Sequence, residues 1–206
     1  MRPDDVVGSV IESGIVGIVR TESAERAVGL ARQLWSAGIT VVEVALTTPG
    51  GLDAIGELAA ETPAGCVLGA GTVLDSESAR LAVLAGARLL VTPTLADGVI
   101  EVGRRYGAAT VIGTATPSEM LHAQTLGADL VKLFPASQWT PKTLGDVLQA
   151  LPQLRTVPTG GIAPTDAADW IAAGAVAVGI GSSLTKVDDP AAQAQQLLAS
   201  VRSARS

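Results

Sequence analysis

LGADLVKL, residues 126–133, reads as three events in eight residues. A helix stops at Gly127, the chain turns through Ala128 and Asp129, and a short apolar strand runs from Leu130 to Leu133, just ahead of Pro135. Glycine suits the first event because it takes the left-handed conformation that ends a helix at little cost. Related turns occur as AGIT at 37–40, AGAR at 85–88, YGAA at 106–109 and AGAV at 173–176. Their glycines, at 38, 86, 107, 127 and 174, lie 48, 21, 20 and 47 residues apart, so the repeating unit is about 20 to 25 residues long. Filling the double gaps gives eight apolar strands: 15–20, 40–45, 66–70, 89–92, 110–113, 130–133, 156–158 and 176–180. Helical patterns separate them, as in SAERAVGLARQLWSAG at 23–38, with Ala27, Leu30, Ala31 and Leu34 on one face. Strands this continuously apolar, each followed by a helix, belong to a parallel sheet covered by helices.

Eight such units close into a (β/α)8 TIM barrel, with a doubly wound open sheet as the alternative. MRPDDVVGSVIESG forms an additional N-terminal helix before the first strand, and DPAAQAQQLLASVRSAR a helix after the last. Residues 1–206 form one domain without linker or low-complexity tract. Hydrophobic residues make up 48% but aromatics only 2%, so Ala, Val, Leu and Ile must fill the core. The net charge of −6 is spread along the chain, which argues against nucleic acid as a partner. No signal-peptide core or membrane-length apolar run is present, so a soluble, cytoplasmic protein without membrane attachment is expected. One cysteine, Cys66, excludes an internal disulfide and reads as a core thiol.

Two charged residues interrupt the apolar strands. Lys132 stands in LVKL and Glu43 in TVVEVAL; the other lysines, Lys142 and Lys186, have polar surroundings. A buried ammonium tends to shed its proton, and the free amine is a nucleophile toward carbonyl carbon. Beside it, a carboxylate can move protons. The plainer alternative is a structural Lys132–Glu43 ion pair, although such a pair often adds little over apolar packing.

Other candidates fall where strands end, the face on which barrels gather their reactive groups. VPTGGIAPTD follows strand seven and GIGSSLTK strand eight. Backbone N–H groups at Gly160, Gly161 and Gly181, with hydroxyls from Thr159 and Ser182, suit a phosphate. In LGAGTVL, Gly69 and Gly71 read as clearance for a substrate near Thr72, whose hydroxyl suits a carboxylate. His122 reads as a solvated helix residue, and Trp35, Trp139 and Trp170 as helix packing. With one histidine and one cysteine, no intrinsic metal site is expected.

VVEVALTTP, LGAGTVL, LLVTPTL, VIGTATPSE, LVKLFPAS, VPTGGI and GIGSSL, in this order, resemble the class I 2-keto-3-deoxy-6-phosphogluconate (KDPG) aldolase family. That family includes the 4-hydroxy-2-oxoglutarate (KHG) and 2-keto-3-deoxy-6-phosphogalactonate aldolases. The resemblance spans about residues 10–185, with VKLFP and PTGGI its most specific parts. It implies a (β/α)8 barrel, a homotrimer and no metal or other cofactor beyond a covalent Schiff base on Lys132. It further implies cleavage of a phosphorylated keto-deoxy sugar acid to pyruvate and glyceraldehyde 3-phosphate. Glu43 is then the proton shuttle and Thr72 the carboxylate ligand. Pro93 and Phe134 line the pocket, while Thr159, Gly160, Gly161 and Ser182 bind phosphate. Gluconate-type members commonly read EVTLRT after strand two, with an arginine on the carboxylate; this chain has Thr47 there and instead ends strand one in Arg20. The epimer preferred at C4 therefore stays open. So do two rivals: a sugar-phosphate barrel with different chemistry, such as an isomerase or a thiazole- or thiamine-phosphate synthase, and a non-catalytic sensor.

Overall fold

The structure, a computed structural model, describes residues 1–205. Its strands are β1 (Ile15–Val19), β2 (Val41–Ala45), β3 (Val67–Gly71), β4 (Leu89–Val91), β5 (Ala109–Thr114), β6 (Leu130–Leu133), β7 (Thr156–Pro158) and β8 (Val178–Ile180). The helices are α1 (Pro3–Ser13), α2 (Ala24–Ser36), α3 (Gly51–Glu61), α4 (Ser76–Ala85), α5 (Asp97–Tyr106), α6 (Pro117–Leu126), α7 (Pro141–Ala150), α8 (Ala167–Ala172), α9 (Ser182–Thr185) and α10 (Pro190–Ser203). All strand pairs are parallel, in the order β7-β6-β5-β4-β3-β2-β1-β8. Closure comes from Val176 N–H donating to Thr156 O at 3.0 Å and a parallel bridge between Thr159 and Gly179. The sheet is thus a (β/α)8 barrel, and the open doubly wound alternative falls.

Local chemistry explains the alternation. Gly86 and Gly127 end α4 and α6 with φ of 111° and 96°, the left-handed turn expected at these positions. At the other end of α6, the Thr116 hydroxyl accepts from Glu119 N–H while the Glu119 carboxylate accepts from Thr116 N–H. This reciprocal cap satisfies two donors that the first turn leaves free. In α2 the residues expected on one face, Ala27, Leu30, Ala31 and Leu34, are buried against the barrel wall.

Two apolar layers result. The outer one lies between strands and helices. The inner one fills the barrel with Val16, Val41, Val67, Leu89, Val111, Leu130 and Val157, small or branched side chains suited to a chain poor in aromatics. Val6, Val7 and Val10 of α1 belong to this inner layer, so the extra helix plugs the N-terminal end of the barrel. Each buried valine contributes on the order of 1.5–3 kcal/mol. Arg205 fastens the plug from the far end of the chain, its guanidinium donating to the carbonyls of Ile11, Glu12 and Val176 at 2.7, 2.7 and 2.8 Å. Above the apolar layer, toward the C-terminal ends of the strands, the filling turns polar.

Candidate active site

Lys132 lies on β6 between Gly113 of β5 and Val157 of β7, and it points into the barrel. Its strand is pinned by the Thr114 hydroxyl, which donates to Lys132 O at 3.0 Å. Gly113 has to be glycine, because a Cβ there would run into the backbone of Pro93 and Thr94. That close approach lets the loop after β4 fold over the site. Thr92 holds the loop down: its hydroxyl accepts from Gly113 N–H at 2.8 Å and donates to Thr94 O at 2.6 Å. On the other side, the Lys132 ammonium lies 4.8 Å from the centre of the Phe134 ring.

Glu43 enters from β2 and is 2% exposed. Its carboxylate occupies the space left by Gly71, where a Cβ would collide with it, and its Cβ lies against Gly69. Gly71 therefore makes room for the Glu43 carboxylate, while Gly69 lets β3 pack closely against Leu89 of β4 and the stem of Glu43. The expectation that the two glycines clear space for substrate is corrected: the neighbouring strands fill that volume. Glu43 and Lys132 share one cavity, yet no ion pair within 4.0 Å joins them among the described residues. Among the described residues, Oε2 of Glu43 is one of three buried side-chain polar atoms without a hydrogen-bond partner, with Trp35 Nε1 and Thr156 Oγ1. Burial pushes the Glu43 carboxyl up, against the pull of the Lys132 and Arg20 charges. Burial also pushes the Lys132 amine down; Glu43 opposes that shift and Arg20 adds to it. Both groups are thus driven toward their neutral forms, the state in which a lysine is a nucleophile and a carboxyl a proton donor.

Arg20, just past β1, donates through Nη2 to the Thr72 hydroxyl at 3.0 Å. Thr72 has a φ of 56°, the one left-handed residue other than glycine among those described. Holding a branched residue there costs on the order of 1–3 kcal/mol, the kind of local strain that collects at working sites. Arg20 and Thr72 form one wall of a cavity of about 690 Å³ that opens at the C-terminal face; Pro93, Phe134, Glu43 and Lys132 also line it.

The opposite wall is made by the loops after β7 and β8. Gly160 and Gly161 are left-handed, with φ of 90° and 79°. A Cβ on Gly160 would come within 2.9 Å of the Phe134 ring, and one on Gly161 within 2.6 Å of Ser137. The carbonyls of Thr159 and Gly160 are taken by Ala136 N–H and Ser137 N–H at 2.8 and 3.0 Å. Among the described residues no protein acceptor takes the N–H groups of Gly160 and Gly161. The Ser183 hydroxyl ties the two loops together by donating to Ile162 O at 3.0 Å. Gly181 and Ser182 complete this wall, and Thr159, 4% exposed, lies at its base where β7 meets β8.

Of the residues singled out in the sequence, only Thr47 stands apart. Beyond Ala45 the chain turns outward, leaving Thr47 exposed and off the cavity wall. Its neighbour Thr48 is buried instead, its hydroxyl accepting from Thr21 N–H at 3.3 Å. Lys186 is the residue that sequence reading missed: it is exposed, yet it lines the outer wall. A signal existed, because Lys186 follows Ser182 by four residues and so shares its side of a single helical turn. His122 is exposed on α6, and no group of three or more His, Cys, Asp or Glu able to hold a metal occurs among the described residues.

Comparison with known proteins agrees with this fold. Residues 7–198 match the model of the family described as KDPG and KHG aldolase. A probable 2-dehydro-3-deoxy-6-phosphogalactonate aldolase of Rhizobium meliloti is 34% identical over 177 residues, 85% of this chain and 84% of the relative. The KDPG aldolase of Zymomonas mobilis, solved with 3-phosphoglycerate, superposes with a TM-score of 0.82 at 28% identity, over 95% of this chain and 94% of its own. The enzyme of Legionella pneumophila, with pyruvate captured as a covalent carbinolamine, gives 0.80 at 26% identity over 98% of both chains.

Proposed function

The chain belongs to the KDPG and KHG aldolase family and is an aldolase, hence a lyase; we propose that it cleaves a 2-keto-3-deoxy-6-phospho sugar acid through a Schiff base on Lys132. The observation that carries this reading is the lone buried amine, pushed toward neutrality at the floor of an open cavity, with a carboxyl beside it that does not pair with it. In the steps that follow, the neutral Lys132 amine attacks the keto carbon to give a carbinolamine. Loss of water, with a proton supplied by Glu43, yields the iminium. Glu43 then accepts the C4 hydroxyl proton, directly or through water. The C3–C4 electron pair moves into the iminium, leaving an enamine and a free aldehyde. Protonation at C3 and hydrolysis of the imine release pyruvate and return the amine.

Arg20 and Thr72 face the carboxylate end of this substrate. A carboxylate entering a largely apolar barrel needs a cationic partner, and the planar fork of Arg20 is built for one. Phosphate falls to the opposite wall, where two left-handed glycines present unused N–H groups. The Zymomonas relative holds 3-phosphoglycerate, which supports a phosphorylated substrate for this chain. The relative from Rhizobium, a probable 2-dehydro-3-deoxy-6-phosphogalactonate aldolase, supports the galactonate epimer. Borohydride reduction in the presence of pyruvate, followed by peptide mass mapping, tests the mechanism: the adduct belongs on Lys132. Saturable binding without any adduct would instead support the sensor reading.

The charge balance gives a signed pH dependence. Trapping needs the neutral amine, so at saturating pyruvate its rate should rise with pH and level off below the 10.5 of an ordinary lysine. Glu43 holds the amine pKa up, so Glu43→Gln should move the rising limb to lower pH; an unmoved or raised limb contradicts the assignment. Arg20→Ala should raise the pyruvate concentration needed for half-maximal trapping by about tenfold or more, the worth of a charged hydrogen-bonded partner. Unchanged pyruvate affinity would show that Thr72 and backbone donors hold the carboxylate alone.

A further inference from the structure

The three lysines of the chain occupy three different situations. Lys132 is buried at the barrel floor. Lys142 is spent on α7, pairing with Asp146 at 2.9 Å. Lys186 lines the outer wall of the cavity and takes part in no ion pair within 4.0 Å among the described residues. Its backbone is fixed, since Lys186 N–H donates to Ser182 O at 2.9 Å and closes the single turn of α9. The side chain therefore rises from the same side of the turn as Ser182, on a stem with four rotatable bonds. Glu22, on the loop after β1, is near enough for its carboxylate to feel the Lys186 charge. That carboxylate is held below its usual range first by the Thr21 hydroxyl and next by its own backbone N–H, with smaller help from Arg26 and Lys186. Glu22 is already committed to Arg26, at 3.1 Å.

The wall beside Lys186 is otherwise uncharged. It offers N–H dipoles at Gly160 and Gly161 and the hydroxyl of Ser182, and the other charged groups lining the cavity, Arg20, Glu43 and Lys132, belong to its carboxylate and reacting end. A phosphate monoester carries about −1.5 to −2 at neutral pH, more than such dipoles neutralise. We propose that Lys186 is the specificity-determining cation of this aldolase, swinging over the outer wall to cover the substrate's phosphate and so favouring phosphorylated keto-deoxy acids over short unphosphorylated ones. The inference rests on the phosphorylated-substrate reading above. A flexible ammonium at the rim meets a phosphate as a point charge and tolerates different lengths of substrate, whereas a rigid fork does not.

The test compares cleavage of a 2-keto-3-deoxy-6-phospho sugar acid with cleavage of 4-hydroxy-2-oxoglutarate in four proteins: wild type, Lys186→Met, Lys186→Arg and Lys142→Met. Lys186→Met should raise KM for the phosphorylated substrate about tenfold with little change in kcat, and should flatten its dependence on salt. Lys186→Arg should keep most of the affinity. Lys142→Met, which removes the same charge elsewhere, should change nothing, and 4-hydroxy-2-oxoglutarate should be cleaved equally by all four. If wild type prefers the phosphorylated substrate and Lys186→Met keeps that preference intact, the role of Lys186 is overturned while the phosphate wall stands. A wild type without any preference overturns both. Equal losses on the two substrates would mean that Lys186 supports the fold of α9, and would also end the proposal.

Discussion

Lys132→Ala is expected to abolish aldol cleavage: kcat should fall by at least about 10⁴, in the range found when a covalent nucleophile is removed. The reason is chemical before it is structural. An imine is the electron sink for C3–C4 cleavage, and among the described residues no other amine reaches the cavity floor; Lys186 stands on the outer wall and Arg20 cannot give up its proton. Lys132→Arg should fail as completely, since it keeps the charge and loses the nucleophile. Lys132→Met is the cleaner variant, because it preserves the volume between Gly113 and Val157 and exchanges a costly buried amine for an apolar group. Steady-state cleavage and borohydride trapping measure the effect, with circular dichroism to confirm the fold. Near-normal turnover by either Lys132→Arg or Lys132→Met would rule out the Schiff base.

Glu43→Gln is the second large effect, a fall of about 10² to 10⁴ in kcat with KM much less affected, as expected for loss of a general acid–base group. Glutamine fits the same space beside Gly71 and cannot exchange a proton. Gly71→Ala approaches the same residue from behind: its new Cβ collides with the Glu43 carboxylate and must displace it. It should lower kcat with Glu43 still present. If Glu43→Gln changed only thermal stability and left kcat untouched, the structural role would be the right one for this carboxyl.

Much of the architecture could be read from the chain because it repeats. Strand six was found to the residue, Leu130 to Leu133, since a glycine turn precedes it and a proline follows. Strand seven matches as well, Thr156 to Pro158, and the others shift by a residue or two, as where β3 begins at Val67 and leaves Cys66 half-buried at the core's edge, its thiol pushed up by burial. Lys132 and Glu43 were legible because a charge inside an apolar run has few explanations. The purpose of Gly71 was not, since the side chain it accommodates comes from a strand 28 residues earlier, at position 43. Thr47 and Lys186 went astray in opposite directions for one reason. Thr47 lies past the end of β2 and Lys186 closes a single turn, and neither stretch is long enough for a period of two or 3.6 to announce which way its side chain points.

The α1 plug also bears on the order of events in a turnover. With Val6, Val7 and Val10 packed into one end of the barrel and Arg205 holding them in place, the reaction chamber communicates with solvent through its C-terminal mouth. With the Schiff base on Lys132 as proposed, the pyruvyl fragment would be bonded at the dead end, and the aldehyde fragment would lie between it and the way out. The aldehyde therefore has to leave first and pyruvate second. In the synthetic direction the queue reverses: pyruvate must enter and form its enamine before the aldehyde arrives. A phosphorylated aldehyde present in excess then becomes its own obstacle, parked at the outer wall ahead of the molecule it needs to meet.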